Sequence, residues 1–292
     1  MRTPIFFVPM AAVAAALCFT ACSSDKVYNT NGFVMTAIVK DSITVNKNGQ
    51  CQVRWGQGSP YNRYCPTGCP TGCVATAVAQ LMSIYKYPSS YGAFTFNWDE
   101  MIADTACTDI PRLMQLLGLP GNLDMKYTTD GSYSNLEKAS HTLQNFGYSH
   151  HGICADYNAD VVMNHVLAGL PVLMGGFSTK YIYSGTSPNP LIYIGNGRVG
   201  HAWLVDGGKI ITITIQVHNF LTGEHAVIGP NTAKYIHCNF GWGDKIEYNG
   251  LFLTNNIDTE DSVDPQITSG ITFICDNYFQ FDLTMLTGIS PQ

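Results

Sequence analysis

At Gly72 the chain changes from a polar stretch rich in glycine and proline to a run with helical periodicity. Val74, Ala77, Val78, Leu81, Met82 and Tyr85 recur on one face, which predicts a helix with a buried stripe. Tyr87-Pro88 predicts its end, because proline disfavours helical geometry at the residue before it. Further helices are predicted over Ile110–Leu119, stopped by Pro120-Gly121, and over Ser134–Phe146, opened by a capping signal in Ser134–Glu137 and closed by Gly147. Asn158–Ala168, closed by Gly169, is another. Residues 89–108 read as irregular, with Tyr91, Phe94, Phe96 and Trp98 packing on the core, and Tyr127–Tyr133 as a turn around Asp130-Gly131.

After residue 170 the period shortens. Leu170–Phe177 reads as a buried strand, Gly200–Asp206 as a second, and Lys209–His218 as a third with Ile211, Ile213, Ile215 and Val217 alternating. Leu221–Glu224 is a turn, so Lys209–Lys234 reads as a long hairpin beside the substrate cleft. Ala233–Phe240 and Gly250–Leu253 are further strands, and Asn277–Leu283 closes the sheet. A helical N-terminal half followed by an antiparallel C-terminal half predicts an α+β fold with two lobes, and a cleft between lobes is a natural active-site position.

The first residues change this picture. Arg2 precedes an apolar run, Ile5–Phe19, too short for a comfortable transmembrane helix and suited to a secretory signal. It ends in Phe19-Thr20-Ala21-Cys22, which reads as a lipoprotein cleavage site with Cys22 as the lipidated first residue; cleavage near Ala21 with a soluble product is the alternative. The expected organisation is a signal peptide over 1–22, a short tether over 23–50 with a strand at its apolar patch Phe33–Val39, and one domain over 51–292. The product is exported, either to the outer surface or periplasm as a lipoprotein or into the medium.

The chain has 292 residues and a formal net charge of -6 without a long basic run, which argues against nucleic acid as a partner. Ten cysteines are many for an exported protein. Cys18 is lost with the signal and Cys22 is the residue that carries the lipid; Cys51, Cys65, Cys69, Cys73, Cys107, Cys154, Cys238 and Cys275 remain, as disulfides or thiols according to habitat.

One of these stands apart. Cys73 opens the predicted helix, where the partial positive charge of a helix N-terminus, and an imidazolium nearby, would lower a thiol's pKa. Gly72 leaves room for a substrate carbonyl, the Cys73 N–H faces an oxyanion, and Gln57 in the loop upstream supplies a second donor. By itself a cysteine is more often a small buried residue. Cys65, Cys69 and Cys73 also suggest a metal site, but zinc and iron–sulfur sites use other spacings, so neither metal nor cofactor is expected. Among eight histidines, His201 follows Gly200 at the start of a core strand, placed as a general base facing a cleft. Such a base needs an orienting group, and Asn239, ending a neighbouring strand, is the best candidate, with Trp242 shielding the pair from water.

The combination resembles the streptopain family of bacterial cysteine proteases in the papain clan. The residues that carry it are Trp55–Asn62 with Cys65-Pro66, Thr71–Gln80, Tyr87-Pro88, Gly200–Gly207 and Asn239–Gly243, in order over about residues 50–255. The resemblance implies a papain-like fold with Cys73 as nucleophile, His201 as base, Gln57 as oxyanion side chain, and Asn239 with Trp242 supporting the imidazole. The chain departs from the family at Phe240, where tryptophan is frequent, and residues 23–50 are too few for the family's long inhibitory propeptide. The expectation is therefore a secreted or lipid-anchored endopeptidase that acts on proteins or peptides and is either made nearly active or restrained by a separate inhibitor protein, with an apolar side chain preferred on the acyl side of the cleavage site. A non-catalytic surface binding protein on the same fold and a thiol acyl- or amide-transferase are the competing readings.

Overall fold

The computed structural model describes residues 26–291 except 31–32, 47–48, 104–105, 179–180, 183–192, 195–198, 220, 246–247 and 255–278. The signal segment, Cys22 and Cys275 lie outside the described residues. Five helices are described: α1 (Cys73–Tyr85), α2 (Trp98–Ala103), α3 (Asp109–Gly118), α4 (Leu136–Asn145) and α5 (Ala159–Leu167). The strands are β1 (Lys26–Thr30), β2 (Phe33–Val45), β3 (Ser90–Tyr91), β4 (Phe94–Thr95), β5 (Lys126–Thr128), β6 (Gly131–Tyr133), β7 (His150–Asp156), β8 (Val172–Ser178), β9 (Tyr181–Ile182), β10 (Tyr193–Ile194), β11 (Val199–Asn219), β12 (His225–Asn239), β13 (Gly250–Leu253) and β14 (Phe279–Ser290).

Most of the strands form one antiparallel sheet in the order β1-β2-β11-β8-β14-β7, with β12 on the other side of β11 and β13 beyond it. The two strands expected on either side of Asp206 are one strand, β11, which passes through an irregularity between Val205 and Gly207. Its first half pairs with β8 over Val199–Val205, and its second half with β2 over Gly208–Asn219. The expected tether thus contains β1 and β2, which lengthen the sheet. The hairpin expected over Lys209–Lys234 is the outer part of β11 and β12, turning through Asn219–Glu224, where Asn219 N–H donates to the Glu224 carbonyl at 2.9 Å.

Alternation along the strands divides the core. Ala202, Leu204, Leu173, Leu286 and Ile289 face α1 and join Val74, Val78, Leu81 and Met82 in one apolar cluster with Trp55 and α3. The intervening Trp203, Val205, Met174 and Met285 face the other way and pack with Val162, Met163 and Val166 of α5, together with Phe240, Phe252 and Phe279. Helix α1 is buried well beyond its predicted stripe: Ala75, Thr76, Ala79, Gln80 and Ser83 are also enclosed. A helix covered on all sides is held by packing rather than by propensity.

The remaining differences are local. Asn135, not Ser134, caps α4, its side chain accepting from Lys138 N–H at 2.9 Å, while the Ser134 hydroxyl donates to the Leu123 carbonyl. The stretch read as irregular holds the small β3–β4 hairpin and α2; Trp98 and Phe96 are buried, and Tyr91 stacks on Phe146 at 3.9 Å. Phe94 stays exposed beside the Arg112 guanidinium. Strand β7, in the half read as helical, closes one edge of the sheet against β14.

Candidate active site

Cys73 begins α1 because Gly72 turns the chain into it. Gly72 has φ 90°, and a Cβ there would lie 2.8 Å from the Ser132 carbonyl and 2.9 Å from Met125 Sδ, so backbone geometry and space both require glycine. No side chain caps the helix. Thr76 N–H and its hydroxyl both donate to the Gly72 carbonyl at 3.1 Å. The Thr71 N–H donates to the Gln57 carbonyl at 2.9 Å, which ties the upstream loop to the entry of α1 and brings the half-buried Gln57 beside it.

The sulfur of Cys73 meets the N–H of Ala202, the residue after His201. Burial pushes the Cys73 thiol above its ordinary pKa, outweighing the N–H groups of Ala202, Val74 and Cys73 that favour a thiolate. That is opposite to the lowering expected from the helix N-terminus alone. The reason is the enclosure of α1, a tertiary property that one-dimensional spacing does not carry.

His201 is 8 % exposed. Its ring sits among Trp242, Phe279, Phe240 and Trp203, with centroids 5.0, 5.2, 5.9 and 6.3 Å away. Burial in this aromatic surround lowers its pKa from 6.5 to about 4, against an opposing effect of the Phe240 carbonyl. The imidazole is therefore neutral at pH 7. Its Nε2 lies 2.8 Å from the Phe240 carbonyl oxygen. A carbonyl only accepts, so Nε2 carries the hydrogen and Nδ1 keeps the lone pair.

Asn239 does not supply that hydrogen bond. Its Oδ1 accepts from Gln80 Nε2 at 3.2 Å, Gly241 N–H at 3.1 Å and Asn249 Nδ2 at 3.3 Å. Register explains the difference. Asn239 pairs with Leu204, which faces α1, whereas His201 is an odd number of residues from Leu204 and projects from the other face. The main chain of the next residue reaches the imidazole instead. Trp242 is half-buried, tilted 39° to the imidazole, with its ring edge-on to Tyr248 at 5.3 Å. The turn after β12 touches the Gln57 loop: a Cβ on Gly56 would be 3.0 Å from Gly243 N.

Sequence reasoning missed three features. Gln80 is fully buried and links Trp55 to Asn239; its signal was a polar side chain at i+7 from Cys73 inside an apolar helix. Phe279 comes from a strand expected only for its position in the sheet. The third is the pair of Asp206 and His237, Nδ1 to Oδ1 2.7 Å, with Asp206 fully buried and its second oxygen taking the Cys51 N–H at 2.7 Å. Cys51, Cys65, Cys69, Cys73, Cys107, Cys154 and Cys238 are free thiols. Cys65 lies 4.0 Å from the Tyr127 hydroxyl, and nothing in the structure gives Cys65 or Cys69 a part in the site. No group of three or more His, Cys, Asp or Glu side chains among the described residues stands close enough to hold a metal ion.

Comparison with known proteins bears directly on this arrangement. Residues 55–252 match the model of the Peptidase C10 family. The structure is similar to that of active wild-type interpain A cysteine protease of Prevotella intermedia, with a TM-score of 0.59 and 20 % identity over 85 % of this chain and 96 % of that one. It is also similar to a prointerpain A fragment from the same organism, with a TM-score of 0.53 and 17 % identity over 97 % of this chain and 81 % of that one. These likenesses show a shared fold. No curated protein sequence matches the chain.

Proposed function

This chain belongs to the peptidase C10 family, the streptopain family of cysteine-type endopeptidases, and from that membership we propose that it cleaves peptide bonds through Cys73 and His201. The observation that carries the proposal is the Ala202 N–H beside the Cys73 sulfur, which sets that sulfur against the strand one residue after His201, whose Nε2–H is committed to the Phe240 carbonyl. The nitrogen left with a lone pair is then Nδ1, the base.

The chemistry follows from the neutral pair. As the sulfur attacks the peptide carbonyl carbon, the thiol proton passes to His201 Nδ1. Negative charge moves to the carbonyl oxygen, where the Cys73 N–H and the Gln57 side chain stabilise it; losing one such donor costs roughly 3–4 kcal/mol. The imidazolium protonates the departing amine, leaving an acyl-enzyme. His201 then takes a proton from water, and hydroxide addition releases the acid and the thiol. Trp242 and the other rings exclude bulk water, and Asn239 fixes the turn that presents the Phe240 carbonyl. In this reading the loop around Gln57 and the turn around Trp242 line a papain-like cleft between two lobes, with protein or peptide substrates lying across it. The enzyme works outside the cytoplasm, exported by its signal segment and anchored through Cys22, and a separate protein inhibitor restrains it.

The test is cleavage of a protein substrate by residues 23–292 under reducing conditions, beside a Cys73→Ala variant. Activity in the first and none in the second is expected, with a cysteine-directed epoxide attached at Cys73. Equal activity in both, or attachment at Cys65 or Cys69, overturns the assignment. Incorporation of a fatty-acid label that disappears in Cys22→Ala tests the anchor; an unlabelled parent refutes it.

A further inference from the structure

Gln80 lies two turns along α1 from Cys73 and is fully buried. Its Nε2 donates to the Trp55 carbonyl at 3.2 Å and to Asn239 Oδ1 at 3.2 Å. Its Oε1 has no partner among the described residues. The main-chain carbonyl of the same residue receives the Ser83 hydroxyl at 2.6 Å and the Cys51 thiol at 3.8 Å.

An amide in this place is a poor choice for stability alone. A buried polar atom left unbonded costs about 1–3 kcal/mol, so the orphaned Oε1 offsets much of what the bond to the Trp55 carbonyl contributes to stability. What the amide does is connect. Trp55 stands two residues before Gln57, the proposed oxyanion donor. Asn239 stands one residue before Phe240, whose carbonyl fixes the His201 tautomer. Gln80 itself belongs to the helix that begins with Cys73. One NH2 group therefore spans three chain segments that each carry a different part of the site.

We propose that Gln80 is a positioning residue for peptide hydrolysis: it fixes the spacing between the Gln57 loop and the Phe240 turn, with α1 as the rigid element between them. The inference rests on the roles given above to Cys73, His201 and Gln57. Gln80 touches no substrate. Its loss lets the oxyanion donor and the imidazole support drift relative to the sulfur, which lowers kcat and leaves substrate binding unchanged.

Gln80→Met keeps the length, removes both donated hydrogen bonds and removes the orphaned oxygen. Active sites are counted by titrating Cys73 to completion with the epoxide, and kcat is expressed per titrated site, so unfolded molecules do not enter. A misplacement near 1 Å costs on the order of a hundredfold, and a fall in kcat of that order with KM unchanged is expected. Gln57→Ala should cost less in the Gln80→Met background than in the parent, because the loop is already displaced. Gln80→Glu is the second variant. Its carboxyl can donate only when protonated, so kcat per site should rise as pH falls through the pKa of the introduced group, a limb the parent lacks. Parental kcat per site in Gln80→Met overturns the proposal, as do full additivity with Gln57→Ala and a Gln80→Glu profile parallel to the parent's. Titration and cleavage by the parent protein decide the assignment of Cys73; the ratio between variants decides Gln80.

Discussion

The depressed pKa of His201 is the feature most open to measurement. Burial among four aromatic rings takes it from 6.5 to about 4. At 1.36 kcal/mol per unit, that difference is worth about 3 kcal/mol. The folded state resists protonating this ring, whereas the unfolded chain accepts a proton near 6.5. The stability contributed by neutral His201 is therefore complete above about pH 6.5 and falls as pH drops toward about 4, where the folded form also protonates. The perturbation is made in a Cys73→Ala background, so that no thiol couples to the ring. NMR of the imidazole should give a titration near 4. Trp242→Ala removes one wall, the ring nearest His201 at 5.0 Å, and should raise the midpoint by about one unit as water reaches the imidazole. Urea unfolding at pH 7 and pH 4 supplies the energy, with His201→Gln as the control for carboxylates that titrate in the same range. The Cys73→Ala protein should lose about 3 kcal/mol more than its His201→Gln counterpart. A midpoint near 6.5, or equal losses in the two proteins, refutes the burial argument.

Three other outcomes follow from the same geometry. Gly72→Ala places a Cβ 2.8 Å from the Ser132 carbonyl in a left-handed backbone; urea unfolding should show a loss of roughly 1–3 kcal/mol, together with a drop in activity. Asp206→Ala leaves His237 and the Cys51 N–H without their buried acceptor and should cost about 3–5 kcal/mol in thermal or urea unfolding. The Cys51 thiol is pushed up to about 12 by burial and the nearby Asp206 carboxylate, and the same causes raise Cys238 well above its ordinary value; a thiol reagent at neutral pH should leave both unmodified until the protein unfolds, which peptide mapping would check.

Much of the site could be read from local sequence because its chemistry depends on local signals. A glycine before a cysteine at the start of an apolar helix, and a glycine before a histidine at the start of an apolar strand, are visible in one dimension. The strand alternation in Ile211–Val217 and the Gly250–Leu253 strand were visible for the same reason. What the spacing lacked was the third dimension. It placed Asn239 against His201 because one begins a strand and the other ends its neighbour, but register turns Asn239 toward α1 and leaves the bond to a main-chain carbonyl. A carbonyl has no sequence signature. The sign of the Cys73 shift was missed because the enclosure of α1 comes from the sheet, Trp55 and α3 together. Residues 26–45 read as a tether with a single strand at Phe33–Val39, and not as a hairpin, because their partner, the outer half of β11, lies some 170 residues away in the chain.

That last pairing has a consequence for proteolytic processing. The outer half of β11 has a neighbour on each side only while β2 lies along Gly208–Asn219. Removal of everything before Lys26 leaves the sheet sealed. A nick between Val45 and Cys51 cuts the covalent link but not the ladder, so the hairpin of β1 and β2 would stay in place as a bound peptide. Only its dissociation would bare a long row of main-chain donors and acceptors, an edge on which a second molecule could add its own strand. The N-terminal hairpin thus covers that edge, and it is loss of the hairpin, not the cut itself, that would expose it.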